Sequence, residues 1–137
     1  MKRYSGYCLL LLLALACGEL QAAGSWVATA PPVRVSLTGR DTASDALRPS
    51  TSQARGHVIP RGHVIQSIVW RYRHPPGSRV NVRLCHPAGC TPLANMRGTT
   101  RALAGSAADA PLEFRFSLPE GQRPVTVGGL QVIVNYR

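Results

Sequence analysis

The sequence predicts an all-β fold: a small antiparallel β-sandwich or barrel-like domain that follows a cleaved N-terminal signal peptide. Two observations predict the fold. Short segments alternate apolar and polar residues with period two, the pattern of strands buried on one face. Turn formers such as His74-Pro75-Pro76-Gly77 and Pro119-Glu120-Gly121 punctuate them. A third observation, an apolar run at the N-terminus, separates the leader from the domain.

Lys2 and Arg3 give that leader a positive start, Cys8 to Ala16 is unbroken apolar sequence, and small residues follow to Gly24. The run suits a signal peptide and is too short for a stable membrane-spanning helix. Cleavage after Ala22 makes residues 1–22 the signal and residues 23–137 a single exported domain. An uncleaved membrane anchor and lipidation at Cys17 are the alternatives.

Within the domain, Trp26-Val27 opens a first strand and Val33 to Leu37 alternates as a second. A polar stretch rich in Ser, Thr, Asp, Arg and Pro then predicts a flexible loop over about 38–62. This loop holds a tandem duplication, Arg55-Gly56-His57-Val58-Ile59-Pro60 followed by Arg61-Gly62-His63-Val64-Ile65-Gln66. Two copies cannot stack into a solenoid, so it reads as a lengthened loop with His57 and His63 as an exposed pair. Val64 to Arg73 is the strongest strand, with Val64, Ile68, Trp70 and Tyr72 on its core face. Arg79 to Cys85 and Leu112 to Leu118 alternate cleanly. Residues 97–110 show little period. Val125 to Val127 starts a strand that Gly128-Gly129 breaks, and Leu130 to Tyr136 forms the last.

Charge narrows the partners. Removing residues 1–22 takes Lys2, Arg3 and Glu19, leaving 14 arginines, no lysine and 5 acids, a net +9. Such a field favours anionic partners. Export argues against nucleic acid and leaves acidic protein surfaces or a weak anionic envelope surface. The outward strand positions Arg71, Arg73, Arg79, Arg83 and Arg115 are the candidate partner-binding residues.

The domain keeps two cysteines, Cys85 and Cys90, in Cys-His-Pro-Ala-Gly-Cys. An even pair in an oxidising compartment, flanking a turn, reads as a disulfide pinching a hairpin. Zinc on Cys85, Cys90 and His86 is the sharper alternative, but no second ligand pair follows. His74 and His86 sit in turns and read as solvated. No Gly-x-Ser-x-Gly or His-Glu-x-x-His motif occurs. Asp41, Asp45, Asp109, Glu113 and Glu120 fall in loops or outward positions, so the reading is not an enzyme, with no cofactor and no metal. Trp70 and Tyr72 are in phase with the core, whereas Trp26 is freer to stack on a sugar.

Several segments together resemble the FlhE family of flagellar proteins. They are Gln21-Ala22-Ala23-Gly24-Ser25-Trp26, Val69-Trp70-Arg71-Tyr72, Val82-Arg83-Leu84-Cys85 with Cys90, Gly98-Thr99-Thr100, and Gln131-Val132-Ile133-Val134-Asn135-Tyr136-Arg137. The likeness spares the 38–62 loop, where the His-Val-Ile duplication looks like an insertion. The resemblance implies a periplasmic, non-enzymatic accessory of flagellar assembly. Such a factor is chaperone-like or gatekeeping, with flagellar structural or export-apparatus proteins as partners. An envelope module that binds glycan or anionic lipid through Arg and aromatic side chains is the alternative.

Overall fold

A computed structural model describes residues 23–49, 59 and 62–137. The expected signal, and most of the duplication with His57, lie outside the described residues. Nine strands occur among those described: β1 (Gly24–Ala30), β2 (Val33–Val35), β3 (Thr42–Ala43), β4 (Ile65–Arg73), β5 (Asn81–His86), β6 (Gly89–Leu93), β7 (Arg97–Thr100), β8 (Glu113–Ser117) and β9 (Val125–Tyr136). There is no helix among them. The first sheet runs β1-β9-β4-β7, with β2 also paired to β9, and the second runs β3-β8-β5-β6. Every pairing between these strands is antiparallel.

The two sheets face one another as a sandwich, and neither closes into a barrel. Tyr72 of the first sheet meets Phe114 and Phe116 of the second edge-on, with ring centroids 6.2 Å and 6.4 Å apart. This is the favoured aromatic geometry. Leu84, Ile68, Val132 and Val134 belong to the same buried core as these rings.

β9 organises the first sheet. It pairs with β1 over Leu130–Tyr136, with β2 over Val125–Val127 and with β4 on its other side. Gly128-Gly129 does not break it, as the sequence suggested, but bulges it. Val125 and Val127 are buried at odd positions, and Leu130, Val132, Val134 and Tyr136 at even ones. A strand without a bulge would turn one of these sets to solvent. Gly129 takes φ +64°, a conformation that glycine adopts without steric cost. Opposite the bulge, Pro31-Pro32 joins β1 to β2, so both partners bend at the same level.

A second register shift, between Ile65 and Ser67, corrects the predicted core face of β4. Ile65 is buried and Val64 only half-buried, while Ile68, Trp70 and Tyr72 point inward as expected. Four other expectations also change. The second strand stops at Val35 and leaves Leu37 exposed; the fifth begins at Asn81, with Val80 half-buried against the core. The predicted flexible loop begins as ordered structure. Ser44 exchanges hydrogen bonds with the Phe114 backbone, and Leu47, fully buried, pairs with Leu112 in both directions at 2.7 Å and 3.0 Å. Residues 97–110 contain the unforeseen strand β7, fixed to β4 by the Trp70 indole N–H, which donates to the Asn95 carbonyl at 3.0 Å.

Candidate interaction faces

Cys85 and Cys90 pair directly across the β5–β6 hairpin and are joined by a disulfide. Next to it, His86 corrects the solvated reading: it is only 7% exposed. Its Nδ1 accepts the Ala88 N–H at 2.9 Å, which leaves Nε2 to donate to the Ala107 carbonyl at 2.9 Å. From the opposite sheet, the Trp26 indole N–H donates to the Ala108 carbonyl at 2.8 Å. Segment 101–108 therefore closes one end of the sandwich, with its own Leu103 and Ala108 buried in the core. The hairpin and Trp26 hold this plug from both sides. His63 is half-buried and meets Tyr136 edge-on at 5.4 Å; its expected partner His57 lies outside the described residues.

Trp26 is thus a core residue and not a free platform. Trp26, Trp70, Tyr72 and Tyr136 are 3%, 8%, 4% and 8% exposed. Burial raises the Tyr72 hydroxyl above the ordinary tyrosine value. Among the described residues, no three His, Cys, Asp or Glu side chains come together as a metal site would require.

The five predicted arginines do not form one patch. Arg71 and Arg73 project from β4 on the outer face of the first sheet. Arg83 and Arg115 lie directly opposite one another on β5 and β8, on the outer face of the second. Each of these two has a carboxylate: Arg83 pairs with Asp41, and Arg115 with Glu113 at 2.7 Å. Such exposed pairs contribute about 0–1 kcal/mol each, but they neutralise the face. Arg79 stands apart in the β4–β5 turn, where its backbone N–H donates to Gln122 at 3.0 Å.

Sequence reasoning missed Arg97. It sits on β7 directly opposite Arg71, as Arg83 does to Arg115. Gln131 of β9 is the Arg71 neighbour on the other side. These three, with Val69 and Ile133, line a shallow concavity on the first sheet's outer face. Once β7 is recognised as a strand, its pairing register is the signal that identifies Arg97.

The comparisons with known proteins bear on this arrangement. The family model described as "Flagellar protein FlhE" matches residues 33–137. The chain belongs to the FlhE family. It is 36% identical over 123 residues to Flagellar protein FlhE of Escherichia coli strain K12, covering 86% of this chain and 90% of that one. It is 32% identical over 142 residues to Flagellar protein FlhE of Salmonella typhimurium, across 100% of both chains. A solved structure titled "Crystal Structure of FLHE" superposes with a TM-score of 0.71 at 31% identity, covering 85% of this chain and 98% of that one. FlhE is thus both the family and the architecture.

Proposed function

We propose that this protein is a periplasmic, non-enzymatic accessory of flagellar assembly. It is a chaperone-like or gatekeeping factor that covers surfaces of flagellar structural or export-apparatus proteins. The observation that carries the reading is membership of the FlhE family of flagellar proteins. Two features support the compartment. Residues 1–22 have the composition of a signal peptide, and a disulfide such as Cys85–Cys90 persists in oxidising surroundings. A sandwich of this kind acts by contact, through exposed arginines and through strand edges that accept a partner strand.

An envelope module for glycan or anionic lipid is the competing class. Its sugar-stacking form needs an exposed aromatic face, and the burial of Trp26, Trp70, Tyr72 and Tyr136 weighs against it. The test is deletion of the gene. Disturbed flagellar assembly or swarming, with normal growth and wall integrity, is expected. Capture from periplasm against rod and hook proteins would then name the partner. Normal flagella with altered sensitivity to wall-active compounds would replace this reading with the envelope one.

A further inference from the structure

The outer faces of the two sheets carry the same motif with opposite outcomes. Arg83 faces Arg115 across β5–β8, and Arg71 faces Arg97 across β4–β7. Like charges directly opposite on one sheet face repel. The first pair is relieved by Asp41 and Glu113. The second has no carboxylate within ion-pair distance among the described residues, and those residues include every acid of the chain beyond Glu19. Gln131 beside Arg71 adds a neutral hydrogen-bonding group, not a counter-charge.

We propose that the Arg71–Arg97 pair is an open carboxylate clamp for an acidic, extended segment of a partner protein. This rests on the reading of the protein as an interaction factor. Two guanidinium groups on directly paired residues can grip one carboxylate, or two neighbouring ones, through charge-assisted hydrogen bonds. Val69 and Ile133 line the same concavity, so an apolar side chain beside the acid finds a floor. Arg73 extends the positive edge along β4, where its guanidinium lies over Gly129. A membrane surface fits less well. The arginines are divided between opposite faces of the sandwich, and the clamp sits in a concavity between side chains rather than on a flat basic plane.

The test uses the purified exported protein and a synthetic peptide alternating Glu and Leu, followed by fluorescence anisotropy. Arg71→Gln with Arg97→Gln should weaken binding about tenfold or more, the scale of a lost charge-assisted contact. Arg83→Gln with Arg115→Gln should leave it unchanged, and a Gln-for-Glu peptide should bind far more weakly. Binding should also fall as salt rises. Equal weakening by both double variants would reduce the effect to net charge and overturn the clamp. So would equal binding of the Gln peptide, or binding to phosphatidylglycerol vesicles but not to the peptide. Thermal melts check that each variant stays folded; removing the repulsion should hold or raise the Arg71→Gln, Arg97→Gln midpoint. A normal phenotype in the deletion strain would overturn the flagellar reading while leaving this binding result standing.

Discussion

Trp70 occupies the space that a side chain at Gly98 would need. The two residues pair directly across β4 and β7, and a β-carbon on Gly98 would stand 2.7 Å from two ring carbons of the indole. Covering an edge glycine with an aromatic ring pins strand register. The indole N–H bond to Asn95 fastens the approach to the same strand. Because the ring takes the inward position, β7 needs no apolar residue of its own there.

Gly98→Val should therefore displace the indole or lift β7. A loss of about 1–3 kcal/mol is expected, the range for overpacking. Urea unfolding followed by Trp fluorescence would measure it. Trp70→Ala should cost more, about 3–5 kcal/mol, as for other buried aromatics. A Trp70→Ala variant that melts like the parent would contradict the packing described.

Gly129→Ala should cost about 1–2 kcal/mol, because its backbone is left-handed and the added carbon would lie 3.0 Å from Arg73 Nε. The matched substitution Gly128→Ala should be much milder, since the nearest atom, on Pro32, is 3.9 Å away. Equal costs would mean that the bulge does not set the register of β9.

Cys85 and Cys90 should resist alkylation in the purified protein until reductant is added, as intact mass would show. Replacing both with Ala should cost about 2 kcal/mol, since the closed loop is short. His86→Ala should act on the neighbouring plug instead. Backbone amides near 105–108 should exchange faster with deuterium while those of β9 stay protected. Unchanged exchange at the plug would show that the Ala107 bond to His86 is dispensable.

Alkaline pH should weaken the fold through Tyr72. Burial raises its hydroxyl above the ordinary tyrosine value of about 10. Above that value the unfolded chain therefore gives up the proton while the folded one keeps it. Unfolding then binds fewer protons than folding, and stability falls as pH rises past the ordinary tyrosine range. Tyr72→Phe should flatten that decline in denaturant titrations. A decline of the same slope in the variant would assign it to other groups.

The parts legible in the sequence were those whose burial alternates without interruption. β5, β8 and the inward residues of β4 and β9 read correctly because Leu84, Phe114, Phe116, Trp70 and Val132 follow period two. The family resemblance also held. Bulges defeated the same logic: Ile65 and Gly128-Gly129 shift the phase by one residue, which a strict alternation reads as a wrong face or a break. β3 and β7 were missed because one is two residues long and the other borrows Trp70 for its packing. Burial of Trp26 and His86 depends on the 101–108 plug, a contact between segments far apart in the chain. Of the interaction faces, Arg71, Arg73, Arg83 and Arg115 could be named from outward positions. Their division into a neutralised pair and an open one depends on Asp41, Glu113 and Arg97, which only the pairing register brings into place.

The position of β9 in chain order has a consequence for biogenesis. β1, β2 and β4 all hydrogen-bond to it, and it follows every other described strand. In a chain emerging from the ribosome, the first sheet lacks the strand that joins β1 and β2 to β4 until β9 emerges. The strands of the second sheet, β3, β5, β6 and β8, all precede β9, so that sheet can pair first but has no complete opposite face to pack against. The flanks of the first sheet must meanwhile wait for their shared centre. The sandwich can therefore complete its core only once the last of the described strands is made.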